Sequence, residues 1–182
     1  MKQNYSAQLS DPPVAQFLFG NTKAALLWLV VRVYVGWVWL EAGWGKIHNT
    51  AWVGEKAGVA LTGFIQGALA KTAGPHPDVQ SLYAWFLEHA VLPHAATWGS
   101  VVAWGEFLIG LGLILGAFTG IAAFFAAFMN FNFLMAGTVS VNPFLGALAV
   151  GLVLAWKVAG HYGADRWLLP LLGTPWRPHI HS

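Results

Sequence analysis

The sequence contains no cysteine. Disulfides, thiolate-held iron–sulfur clusters and any persulfide or thiol-exchange step carried by its own side chains are thereby excluded. Charge is almost as scarce. Only 9% of the 182 residues are Asp, Glu, Lys or Arg, against about 25% in soluble domains. The net charge of +2 is too small to point to nucleic acid, and no nucleic-acid motif accompanies it. A Walker loop, a G-x-G-x-x-G unit and an H-E-x-x-H metal motif are all missing. None of the seven histidines (His48, His76, His89, His94, His161, His179 and His181) lies inside a long apolar run, so neither haem nor metal is expected. His48 and His94 stand at the same end of their segments, and "RPHIHS" reads as a solvated tail.

What remains is apolar. Hydrophobic residues make up 57% of the chain, 11 residues are Trp, and the mean hydropathy is +0.59. This is the composition of an all-α integral membrane protein. The opening stretch, 1–23, is polar and holds Pro12-Pro13. It has neither the short apolar core nor the small-residue cleavage site of a secretory signal, so the first apolar helix is expected to stay as an anchor.

A spanning helix needs about 20 mainly apolar residues. Four segments qualify: 24–45, 98–117 ("WGSVVAWGEFLIGLGLILGA"), 120–138 ("GIAAFFAAFMNFNFLMAGT") and 143–162 ("PFLGALAVGLVLAWKVAGHY"). Very short turns join the last three, which makes them antiparallel neighbours. The chain reads as a single membrane domain over 1–182, a four-transmembrane-helix antiparallel bundle. The long loop 46–97 carries two further apolar pieces, 59–72 and 78–92, too short to span and separated by "AGPHPD", with Pro93 ending the second. They read as interfacial or re-entrant helices covering one end of the bundle, a loop resting on the lipid surface being the alternative.

Four spans put both termini on one side. That side holds Lys2, Lys23, Lys157, Arg166 and Arg177, while the loop holds Lys46, Lys56 and Lys71 with Glu55, Asp78 and Glu88. The positive-inside rule then gives cytoplasmic termini and an external loop in the plasma membrane.

Against this background the polar residues at depth stand out, because a charge in hydrocarbon costs on the order of 3 kcal/mol on insertion scales. At about 1.5 Å per residue, Glu106 lies roughly 12 Å below the loop-side surface and Glu41 about 6 Å, while Arg32 lies roughly 12 Å from the opposite face. Asn130 and Asn132 fall near the midplane. Helical spacing groups Tyr34, Trp37, Glu41 and Trp44 on one stripe of the first helix, with Arg32, Gly36, Trp39 and Gly43 nearly opposite. On the second helix Gly99, Ala103, Glu106 and Gly110 form a narrow stripe suited to close helix packing. Glu106 is thus set to pair with Arg32 or Asn130 on another helix. Snorkelling ends account equally well for Glu41 and Lys46, and interhelical hydrogen bonding for the two asparagines.

The runs "RVYVGWVWLEAGWGKIHN", "GEFLIGLGLILGAFTGIAAFFAAFMNFNFLMAGTVSVNP" and "DRW" resemble the DoxX/DoxD family of four-helix membrane proteins. The long insertion after the first helix resembles the DoxD branch, the large subunit of thiosulfate:quinone oxidoreductase. The resemblance implies quinone-linked oxidation of thiosulfate to tetrathionate, hence sulfur metabolism and electron transfer, with a small DoxA-like partner subunit. The family pattern falls on Arg32, Glu41, Gly43, Lys46, Glu106, Asn130, Asn132 and Asp165. With quinone as substrate, Glu106 or Glu41 would relay protons, and Arg32 would hold Glu106 ionised or steady negative charge on the quinone. Asn130 or Asn132 would donate to a quinone carbonyl, and Trp37, Trp39 or Trp104 would stack on the ring. Lys46 and His48 would meet the thiosulfate dianion beneath the loop. Membrane lipid and further copies of the chain are the other expected partners. Three readings compete: a non-catalytic membrane subunit docking a soluble redox enzyme, a small transporter or channel, and a haem-bearing anchor.

Overall fold

Proline at its first position starts α1 (Pro13–Gly20), where the missing N–H costs nothing. The Asn21 side chain then accepts from the Lys23 amide and turns the chain into α2 (Ala25–Ile47). In the computed structural model, which describes residues 11–173, every regular element is helical. Lys2, Arg177, His179 and His181 lie outside the described residues. After α2 come α3 (Val59–Leu69), α4 (Ser81–Phe86), α5 (Ala95–Leu115), α6 (Thr119–Met135), α7 (Asn142–Leu154), α8 (Trp156–Ala159) and α9 (Asp165–Leu171). Two helical runs are long and apolar enough to cross a membrane, Thr22–Ile47 and Ser81–Leu115; α6 and α7 are apolar but shorter.

Two expectations from the sequence change here. Pro93 does not end a separate helix. A π-helical turn (Leu87–Val91) and a 3-10 turn (Leu92–His94) carry α4 into α5 as one bent run. Such turns rearrange the backbone bonding around a residue that cannot donate. The fourth expected span is also interrupted. The chain leaves α-helical geometry at Ala155 and resumes as α8, which packs on α1, α2 and α6.

The main interior is built where α2 meets α5 and α6 meets α7. Val35, Leu113, Ala123, Ala126, Ala149 and Leu152 are all fully buried there. A second cluster joins α3 and α4 to the end of α6 through Leu61, Ile65, Tyr83, Leu87, Val91 and Ala136. It makes residues 59–91 a packed cover rather than a loose loop. On the outside, large apolar side chains such as Leu26, Val30, Leu108, Phe124 and Phe128 are exposed around the bundle. A contiguous apolar girdle of this kind suits hydrocarbon, not water.

One end of the bundle is closed by a polar knot. Arg32, 1% exposed, donates to the carbonyls of Leu113 (2.5 Å), Ile114 (3.2 Å) and Tyr162 (3.1 Å), so it binds the last turn of α5. Asp165, fully buried, accepts from the amides of Phe118 (2.6 Å) and Thr119 (2.8 Å) and caps α6 from the far end of the chain. Its own amide donates to Gly116 O at 2.7 Å, and its charge attracts that of Arg32. Cation at a helix C-terminus and anion at a helix N-terminus is the favourable sense of the helix dipole. Gly116 sits between them at φ 65°, and any Cβ there would overlap the guanidinium. Asp165→Ala strips the cap and leaves Arg32 without its counter-charge, so it is expected to cost about 3 kcal/mol. Arg166→Ala, on the exposed next residue, should stay within about 0.5 kcal/mol. Thermal unfolding in detergent, followed by size-exclusion, separates the two.

Candidate functional site

The opposite half of the bundle depends on how closely α2 and α5 approach. A Cβ at Gly43 would overlap the Phe107 backbone, and one at Gly110 would overlap that of Leu40. This is the close packing expected from the small-residue stripe of α5. Counting up from Gly43 against an antiparallel partner brings Lys46 within one turn of Glu106. Lys46 Nζ donates to Glu106 Oε2 at 2.6 Å, with the lysine side chain 21% exposed and the glutamate 2%. The ammonium also lies over the Trp52 ring, 5.2 Å from its centroid.

Arg32 and Glu106 therefore do not meet. The stripes that turn both residues inward allow a pair, but a shared inward face does not set register. Arg32 belongs to the knot at one end, and Glu106 takes Lys46 at the other.

One buried amide has nothing to bind. Asn130 is 1% exposed, and neither its nitrogen nor its oxygen has a hydrogen-bond partner. The preceding Met129 lies against Gly105, the neighbour of Glu106, which puts Asn130 at about the height of Glu106 in the bundle, with its own Cβ toward Gly146 of α7. Trp39 adds a second orphaned group. Its ring stacks on Phe133 at 6.3 Å, and its buried Nε1–H finds no acceptor. Each unsatisfied buried group costs about 1–3 kcal/mol. Two donor groups and one acceptor are left open this way.

The other expected site residues are placed elsewhere. Asn132 is spent on structure: its amide donates to Phe128 O, while its oxygens accept from the Tyr83 hydroxyl at 3.0 and 3.2 Å. That link, with Lys71 donating to Gly137 O at 2.6 Å, fastens the cover to α6. Tyr83 escaped notice in the sequence because it looked like one more apolar residue of an interfacial helix. Trp37 and Trp104 face outward, as does Glu41, which touches none of these groups. The stripe reading of α2 holds in full: Tyr34, Trp37, Glu41 and Trp44 are exposed, while Arg32, Gly36, Trp39 and Gly43 are buried. His48 is exposed on the loop face, with Nδ1 2.9 Å from Trp44 O and its ring against the Trp44 ring.

The chain matches the sequence model of the DoxX family over residues 27–141, more than half its length. It belongs to the DoxX family. DoxX is a membrane family, and the match runs from α2 to the approach to α7. It takes in Arg32, Trp39, Lys46, Glu106 and Asn130; Asp165 lies beyond it. No curated protein and no solved structure matches this DoxX protein.

The ion pair makes an asymmetric prediction. Lys46→Met leaves a buried carboxylate unpaired and should destabilise by about 3 kcal/mol. Glu106→Gln leaves a part-exposed lysine that can reach water and should cost under about 1 kcal/mol. Adding Glu106→Gln to Lys46→Met should then restore most of the loss. Unfolding of the four proteins in detergent reads the cycle.

Proposed function

We propose that this DoxX protein is the membrane subunit of a quinone-linked oxidoreductase that oxidises thiosulfate. In this reading α2, α5, α6 and the α7–α8 segment cross the plasma membrane as an antiparallel four-helix bundle, with cytoplasmic termini and an external cover. The observation that carries the proposal is the pair of buried, unpartnered groups, the Asn130 amide and Trp39 Nε1–H, in a bundle that also buries Glu106 against Lys46. A quinone headgroup is uncharged, carries two carbonyl acceptors and enters from lipid. Asn130 and Trp39 offer the donors, and Glu106 the proton. Two thiosulfates, one quinone and two protons give one tetrathionate and one quinol, so charge and electrons balance. Thiosulfate stays at the water face, where Lys46 and His48 are accessible. A small DoxA-like subunit and a second copy of the chain are the partners that the family likeness favours. Arg32 and Asp165 spend most of their hydrogen bonds on backbone, whereas the Asn130 side-chain amide, among the described residues, is buried with both its nitrogen and its oxygen unused, which favours the same reading over a purely packing role.

Anaerobic quinol formation by detergent-purified chain, given decyl-ubiquinone and thiosulfate, tests the proposal. The wild type should form quinol, and Glu106→Gln should be slower by about 10²-fold, as for loss of a general acid. No quinol in any preparation, with or without a small soluble subunit, rejects the enzyme and leaves a docking subunit. Asn130→Leu gives an independent handle. Removing two orphaned polar atoms should raise stability by about 1 kcal/mol, while the KM for quinone rises. Thermal unfolding and steady-state kinetics on one sample read both effects.

A further inference from the structure

Resting on that reading, we infer that the protons consumed at the buried layer enter from the loop face alone, through Lys46 to Glu106. The loop end is wet. Lys46 is part-exposed, and His48, Asn49 and Thr50 beside it are exposed. A proton handed on by Glu106 is replaced across its 2.6 Å contact with Lys46, which equilibrates with loop-side water.

The other direction is closed. From Gly43, packed on the Glu106 backbone, back to Arg32, α2 runs 11 residues, roughly 16 Å. The interior over that distance is lined by Val35, Ile109, Leu113, Ala123, Ala126 and Ala149, none more than 6% exposed. No titratable side chain lies among them. At the end of the plug stand Arg32 and Asp165, and neither is free to pass a proton. Arginine does not deprotonate in proteins, and its guanidinium is held by three carbonyls. Both Asp165 oxygens accept backbone amides. Tyr162 is tied into the knot by its carbonyl, which accepts from Arg32, and His161 precedes it in the turn between α8 and α9. Where thiosulfate also gives up its electrons at the loop face, turnover then carries no net charge across the bilayer.

The absence of native cysteine makes the test clean, because a single Lys56→Cys on the exposed loop reports orientation. Proteoliposomes with a biased orientation are labelled from outside with an impermeant maleimide, which gives the loop-out fraction. Decyl-ubiquinone is supplied in the bilayer and thiosulfate on both sides, with valinomycin and potassium to remove any potential. Quinol is followed by absorbance, external protons by a pH electrode and lumenal protons by trapped pyranine. The share of protons taken from outside should equal the loop-out fraction. A share equal to the remaining, termini-out fraction overturns the inference while the quinol signal leaves the oxidoreductase intact. An equal draw from both faces, whatever the orientation bias, overturns it too. If no quinol forms, the oxidoreductase reading fails and takes the inference with it.

Discussion

Where α2 crosses α5, Gly43 and Gly110 remove the side chains that would hold the two backbones apart, and the helices meet main chain to main chain. That contact sets a single register, because sliding either helix by one turn would drive a Cβ-bearing residue into the opposing backbone. The polar contacts between α2 and α5 then follow from it. One end of the register puts Arg32 against the last carbonyls of α5, and the other puts Lys46 against Glu106. Without a hydrophobic force between helices in lipid, such close approach is the means by which two apolar rods choose one alignment.

The register also divides the labour between the two buried cations. Arg32 presents a planar fork to fixed carbonyls, and Asp165 returns the charge while capping α6. Every partner in that knot except the two side chains is backbone, so it closes the α5–α6 turn and offers little to a ligand. Lys46 is the opposite case. Its partner is a side chain, its stem reaches toward water, and its ammonium keeps one face against Trp52. A lysine that reaches solvent can exchange a proton with its partner; an arginine held between helix ends cannot.

Much of this was legible in the sequence. The four apolar segments, the covering pieces and the two faces of α2 all follow from length and period. So does the close-packing stripe that carries Glu106. What the sequence left open was set by relations between segments. Inward-facing stripes made Arg32 and Glu106 candidates for a pair, although they are fixed at different levels. The two asparagines of "MNFN" looked equivalent, yet their directions differ: Asn132 meets Tyr83 from the cover, and Asn130 turns inward to nothing. Pro93 looked like a stop, because nothing in the residue pattern announces the π-turn and 3-10 turn that carry the chain past it. Asp165 could be matched to a family pattern but not to the helix end it caps, 46 residues away.

Solvation sorts the two substrates of the proposed reaction. Pairing Lys46 with Glu106 leaves the buried layer without net charge, so a thiosulfate dianion would surrender its hydration there and meet no unbalanced cation. Its favourable position is the water face, where the outer side of Lys46 and His48 are reachable. An uncharged ring has the reverse preference. It loses little on leaving lipid and gains hydrogen bonds from groups that otherwise have none. In the proposed reaction the ion pair would act as a partition, admitting the carrier that needs protons and holding off the anion that supplies electrons. Lys46, which reaches both sides of it, is where the two come closest.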